Sequence, residues 1–259
     1  MSKGYISVLG KEIPLYGLCF IAGVAMAACV ATGLIKRRKI DGFDLAGSAV
    51  YTMIGALVGA KLLFIAVSWE QIRAYNLSFL EVIRGGFVFY GGLIGGAAGL
   101  LVYVKQFKLR LSDFLDIYAT VLPLGHAFGR VGCFLGGCCY GMEMSSACFL
   151  CVVYDEPYNV LTPRGVPLLA VQLIEAACLV VYFVIMLVLF FKVKPLQGKL
   201  APVYACAYAV LRFTLEFFRG DKERGGAFSF STSQWISLAI FLTVAIIVMI
   251  KRMKNRGSK

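Results

Sequence analysis

At 259 residues, with 60% hydrophobic and 15% charged side chains and a mean hydropathy of +0.81, the chain is too apolar for a soluble globule and reads as a polytopic membrane protein. Its formal net charge of +12 does not indicate nucleic acid as a partner. The lysines and arginines fill short gaps between apolar runs instead of forming one basic face, so they act as topology signals.

In chain order, Met1 to Leu15 is mixed and polar, and no small-residue cleavage site follows it convincingly. The first apolar run is therefore read as a retained helix and not a signal peptide. Seven apolar segments, at about residues 14–35, 45–68, 86–104, 112–135, 167–191, 199–218 and 232–250, each approach the roughly 20 residues that cross a bilayer as helix. The expected class is an all-α polytopic membrane protein: a single integral membrane domain over 1–259 with seven transmembrane helices. Residues 141–166, the longest polar stretch, form a small extracytoplasmic cap of turns and a short hairpin. Fifteen lysines and arginines fall on one side of these spans and nine on the other. The positive-inside rule then places the C-terminal tail in the cytoplasm and the N-terminus outside. That arrangement brings Gly125–Gly141, Arg84–Gly96 and Arg219–Arg224 to the outer face.

The run from Gly125 to Gly141 holds the only histidine, His126, with Arg130, six glycines and Cys133, Cys138 and Cys139. Glycines admit close approach of backbone to ligand, and a guanidinium offers a rigid fork of donors for phosphate oxygens. Taken singly, these residues also read as helix-packing glycines, apolar thiols and a snorkelling arginine. Together they suggest an anion site at a membrane boundary.

Charge inside an apolar run needs a partner or a purpose. Arg212 and Glu216 are four residues apart and share a helical face, with Arg219 three further on. An internal ion ladder and a binding role are both compatible with that spacing. Arg130 at the outer end of another helix adds a second guanidinium, and the abundant anion at that depth is a phosphodiester, so a phospholipid headgroup site is expected. In the stretch from Arg84 to Gly96, three glycine pairs favour close helix packing. Tyr90, flanked by Gly91 and Gly92, is expected to face backbone or ligand. His126 lies one turn before Arg130 and is a secondary candidate. Lys61 snorkels or pairs with an acid, and Gln172 and Glu175 line the same region.

Cys19, Cys29, Cys178 and Cys206 sit in apolar runs as small hydrophobes. Cys138, Cys139, Cys148 and Cys151 admit outer-face disulfides, zinc or free thiols. With one CxxC and no paired histidine zinc is the weakest of the three, and a disulfide joining the helix end to the cap is preferred.

At these residues the sequence resembles the prolipoprotein diacylglyceryl transferases. Gly129-Arg130 with Gly132, Phe134 and Gly141 fits the family signature. Gly85-Gly86 with Gly91-Gly92-Leu93-Ile94-Gly95 fits its glycine-rich third helix, and Arg212, Glu216 and Arg219 fit its late helix. Tyr16 after Pro14, and Gln172 with Glu175, match more weakly. The family pattern usually has asparagine at Cys133, an acidic residue at Cys138 and histidine at Tyr90. The resemblance implies an enzyme of the bacterial cytoplasmic (inner) membrane that moves diacylglycerol from phosphatidylglycerol to the lipobox cysteine thiol of a prolipoprotein signal peptide. On that reading Arg130, Arg212 and Tyr90 are catalytic. Gly129, Glu216, Arg219, Gly91, Gly92, Tyr16, Gln172 and His126 bind substrate, and neither metal nor cofactor is needed. The same donor with another acceptor, and a non-enzymatic phospholipid transporter or scramblase, are the alternatives.

Overall fold

Long apolar runs punctuated by charged gaps fold as helices, because a backbone without water must satisfy its own hydrogen bonds. The computed structural model describes residues 4–8, 11–146, 148–221, 226–227 and 230–256. Lys3, Lys222, Arg224 and Lys259, counted above for orientation, lie outside them. The chain divides into two units, one of residues 1–31 with 115–259 and one of residues 32–114.

The elements run β1 (Tyr5–Val8), β2 (Lys11–Pro14), α1 (Leu15–Arg38), α2 (Gly42–Val67), α3 (Trp69–Ala74), α4 (Phe79–Arg84), α5 (Phe89–Gln106), α6 (Leu111–Gly136), β3 (Cys151–Val153), β4 (Pro167–Leu169), α7 (Val171–Lys192), a 3-10 turn (Lys194–Leu196), α8 (Leu200–Glu216), β5 (Gly226–Ala227), β6 (Phe230–Ser231) and α9 (Thr232–Arg256). The seven expected apolar segments are the long helices α1, α2 and α5 to α9, with ends shifted by a turn or so. Three of them, α1, α2 and α7, are long and apolar enough to cross a membrane by composition, at hydropathies of 2.3, 2.0 and 2.8. The short helices α3 and α4 and the β1–β2 pair were not anticipated. Ser78 and Glu81 cap α4 reciprocally, a local signal visible in the sequence as Ser-x-x-Glu.

In the second unit, α2 and α5 pack through small residues at helical spacing, Gly55 and Gly59 against Gly91, Gly95 and Gly99. A Cβ added to Gly95 would lie 2.9 Å from the Gly59 Cα, and one added to Gly91 would lie 2.6 Å from the Leu63 Cβ. The helix backbones therefore touch directly, as small-x-x-x-small patterns permit. Among the described residues Lys61 has no acidic partner. Its ammonium donates to the carbonyls of Val82, Ile83, Gly85 and Gly86 at 3.0–3.2 Å and lies over the Phe87 ring. It thus gathers the carbonyls at the end of α4 and in the two glycines that follow.

In the first unit, α6 and α8 are tied near both ends. Asp116 of α6, fully buried, accepts from the backbone N–H of Gly198 at 2.6 Å and of Leu200 at 3.0 Å, capping the start of α8. Beyond the other end, Met142 N donates to Phe218 O and Gly220 N to Tyr140 O, while Gly141 N bonds Leu169 O. Gly141 and Gly220 allow this crossing, since a Cβ on Gly141 would strike Leu169 and Val171.

Between α6 and α7, the segment 141–166 with β4 carries a short antiparallel pair, Cys151↔Leu169 to Val153↔Pro167. Pro167–Leu169 is strand, which is why α7 begins at Val171. The cap packs Val152, Tyr154, Leu168 and Ala170 against Phe134 and Tyr140. Tyr154 Oη donates to Phe134 O at 2.7 Å and Thr162 Oγ1 to Gly137 O at 2.8 Å, taking up carbonyls left open where α6 ends. Burial raises the Tyr154 phenol above its ordinary pKa, so it stays a donor. The disulfide joins Cys148 to Cys151 within the cap, not the helix end to the cap as preferred above, and Cys133, Cys138 and Cys139 are free thiols.

Gly95→Leu should separate α2 from α5 and lower stability by about 1–3 kcal/mol, the usual cost of overpacking. Gly33→Ala, where a Cβ meets nothing within 4 Å, should leave it unchanged. Unfolding of the two variants in detergent distinguishes them, and equal midpoints would exclude the close packing.

Candidate active site

Three helices of the first unit meet on one carboxylate. Glu175, on the first turns of α7, has a side chain only 1% exposed. Its Oε2 lies 3.1 Å from Arg130 Nε of α6. Its Oε1 accepts from Tyr208 Oη of α8 at 3.1 Å and stands 4.0 Å from His126 Nε2. The His126 and Tyr208 rings meet edge to face, centroids 5.0 Å apart, and Tyr204 stacks on Tyr208. A buried carboxylate without partners would be costly, and here a cation and a hydroxyl stand against its two oxygens.

Arg212 lies one turn beyond Tyr208 on α8. Its Nη2 is 2.6 Å from Glu216 Oε2 and donates to Ser233 Oγ of α9 at 3.1 Å. A Ser231–Gln234 capping pair fixes the start of α9, placing Ser233 in its first turn. Arg130 and Arg212 both act electrostatically on the His126 ring and the Tyr208 hydroxyl, so guanidinium groups 82 positions apart in the chain share one neighbourhood.

Not every polar atom there is satisfied. Arg130 Nε, Arg212 Nη1, Gln172 Oε1 and Tyr204 Oη are buried without a hydrogen-bond partner among the described residues. The contact of Arg130 Nε with Glu175 is close but lacks hydrogen-bond alignment, so it counts as an ion pair only. Each unmet group costs about 1–3 kcal/mol. Arg212 Nη1, a buried guanidinium nitrogen held in that condition, can bind an anion with little reorganisation.

Of the residues singled out from sequence, His126, Arg130, Gln172 and Arg212 lie at or beside this cluster. Gln172 Nε2 donates to Cys138 O at 2.9 Å. Tyr16 of α1 packs on Gly132 and is within electrostatic reach of Arg130. A Cβ at Gly129 would meet nothing within 4 Å, so packing does not explain that glycine. Arg219 forms a bidentate pair with Asp221, Nε to Oδ1 at 3.1 Å and Nη2 to Oδ2 at 2.9 Å. Burial raises the Asp221 carboxyl above its usual pKa despite the opposing pull of Arg219. Tyr90, Gly91 and Gly92 belong to the second unit, where Tyr90 meets the Phe89 ring. Helix packing accounts for Gly91, while Gly92 makes ordinary contacts with α2.

Tyr208, Tyr204, Ser233 and Asp221 went unrecognised in the sequence. Tyr208 precedes Arg212 by four residues, the spacing already noted for Glu216 on the other side, so the helical face carried a signal for it.

The family model for prolipoprotein diacylglyceryl transferase matches residues 4–250. The chain belongs to the prolipoprotein diacylglyceryl transferase family. It is 31% identical to phosphatidylglycerol--prolipoprotein diacylglyceryl transferase 2 of Clostridium perfringens over 255 residues, 96% of this chain and 95% of that protein. It is 29% identical to the phosphatidylglycerol--prolipoprotein diacylglyceryl transferase of Clostridium tetani, covering 99% of this chain and 100% of that one. With the Dehalococcoides mccartyi protein of the same name it shares 29% identity over 252 residues. The family resemblance inferred from the arginine and glycine motifs therefore extends along nearly the whole chain.

Glu175→Ala should leave Arg130 as a buried charge without its carboxylate and cost about 3–5 kcal/mol. Tyr208→Phe, which removes a hydrogen bond to a charged group, should cost about 1.5–3 kcal/mol. Equilibrium unfolding in detergent reads both, and a Glu175→Ala protein as stable as the parent would remove the carboxylate from its central position.

Proposed function

We propose that this protein is a phosphatidylglycerol:prolipoprotein diacylglyceryl transferase of the bacterial cytoplasmic membrane. The single observation that carries the reading is the approach of two buried guanidinium groups to one His126–Tyr208 contact, Arg130 through its ion pair with Glu175 and Arg212 one turn beyond Tyr208 on α8 with its Nη1 lacking a hydrogen-bond partner among the described residues. The names of the relatives supply the donor and the acceptor class.

In the proposed reaction the precursor's cysteine sulfur attacks the glycerol carbon of the diacylglycerol that bears the phosphate ester. A C–S bond forms, the C–O bond breaks, the electron pair leaves with glycerol phosphate, and the thiol proton ends on that released phosphate. Arg130 and Arg212 bind the phosphate and stabilise the charge that moves onto the leaving group, as preorganised donors do in a water-poor site. Glu175 holds Arg130, and Glu216 with Ser233 holds Arg212, so each guanidinium is oriented before the lipid arrives. Gln172, Tyr16, His126 and Gly129 border the lipid, and Arg219 assists at the mouth. Tyr90 with Gly91 and Gly92 is proposed on the resemblance alone, Tyr90 to orient or relay a proton for the thiol. Seven spans, with the N-terminus outside and the basic tail in the cytoplasm, would place the segment after α6 at the outer leaflet, where a secreted precursor presents its signal peptide.

A purified precursor with a lipobox, phosphatidylglycerol labelled in its diacylglycerol, and the protein in liposomes test this directly. Label on the precursor cysteine is the expected result. Label on another acceptor would retain the donor site and replace the acceptor, and movement of lipid between leaflets without label transfer would make the protein a transporter. Arg130→Lys and Arg212→Lys should each lower transfer by about 10²–10³-fold, the range for loss of a transition-state donor, with membrane insertion intact. Full activity in either would refute the phosphate clamp.

A further inference from the structure

The Cys-Cys turn after α6 is explained neither by helix packing nor by the phosphate clamp. Cys133 lies in the last turn of α6, three residues beyond Arg130. The chain then reverses through Gly137, at φ +79°, and Cys139, at φ +60°. A left-handed backbone is natural for glycine but uncommon for a residue with a Cβ, and such positions mark places where the surroundings impose a conformation. Here the conformation accompanies a closed triangle of sulfurs. The three Sγ atoms of Cys133, Cys138 and Cys139 lie within 4.8 Å of one another.

The geometry points to a binding site for a zinc-class divalent cation on Cys133, Cys138 and Cys139. Three sulfurs at about 2.3 Å from a tetrahedral ion stand about 3.8 Å apart, so the triangle has to contract by only about an ångström. Thiolate selects borderline-soft and soft ions over calcium or magnesium, which take oxygen ligands. Three thiolates and a divalent ion leave one net negative charge. Arg219, hydrogen-bonded to Cys139, and Arg130 supply positive charge alongside. The frame is built before the ion binds: Gln172 holds the Cys138 carbonyl and Thr162 the Gly137 carbonyl. Cys148 and Cys151 are bonded to each other and do not compete. Three protein ligands leave the fourth tetrahedral position open, as in zinc sites that accept an exogenous ligand. None of the three ligands belongs to the phosphate clamp, so the site holds whether or not the chain is a transferase.

The test is zinc binding by the full-length protein in detergent, purified without reductant, stripped with chelator and then given zinc alone. The expected result is about one ion retained per chain. Zinc should also slow alkylation of Cys133, Cys138 and Cys139 in peptide mass spectra while leaving exposed Cys29 unaffected, with chelator reversing the effect. Cys133→Ser, Cys138→Ser and Cys139→Ser should each weaken zinc binding by at least about 100-fold. Cobalt in place of zinc should show thiolate-to-metal charge-transfer absorption. No retained zinc, equal retention by the three-serine protein, or a disulfide between any two of the three cysteines that persists in the stripped protein would overturn the proposal. The alkylation pattern is read on the unaltered chain, so misfolding of a serine variant does not blunt it.

Discussion

The site depends on a carboxylate placed where it can scarcely afford to be. Glu175 is out of reach of water, and its charge is tolerable only because α6 brings a guanidinium and α8 a phenol to its two oxygens. Removing either partner makes the other two costly. Three helices are thereby committed to one arrangement by a term that apolar packing alone does not supply, since hydrocarbon side chains gain little by leaving lipid for each other. The same arrangement keeps Arg130 and Arg212 neighbours of His126, although the chain travels through the cap and α7 between them.

Much of the helical framework was legible because its signal is coarse. The seven apolar runs are the seven long helices among the described residues, and Gly91 and Gly95 of the glycine pairs meet Gly55 and Gly59 as small residues at helical spacing should. The Arg212–Glu216 pair was readable from its four-residue spacing. What escaped were the particular partners that join elements distant in sequence. Asp116 was passed over although an acid within an apolar run needs a partner, because its partners are backbone N–H groups of residues 198 and 200, which no side-chain pattern announces. Glu175 was noted only as a lining residue, and Lys61 was expected to snorkel or meet an acid when it donates to four carbonyls at the end of a short unforeseen helix and just beyond it. Such pairings are set by tertiary approach, which periodicity does not encode.

The cap shows the same limit at short range. Its hairpin and turns were expected from composition, but the choice among five neighbouring cysteines was not available from spacing. A bond between Cys148 and Cys151 leaves the cap fastened to α6 by hydroxyls instead, Tyr154 on Phe134 and Thr162 on Gly137. The end of α6 is held without covalent chemistry, and its thiols stay free.

Because α8 is clamped before its first turn by Asp116 and after its last by the Tyr140–Met142 backbone, its length is not adjustable. Each residue inserted or deleted between Leu200 and Phe218 would turn the downstream side chains by about 100° and shift them by about 1.5 Å. Either Tyr208 and Arg212 would swing off their partners or one clamp would let go. Variation in chain length among such proteins should accumulate elsewhere, leaving the count of positions between the two fastenings as an invariant of the architecture.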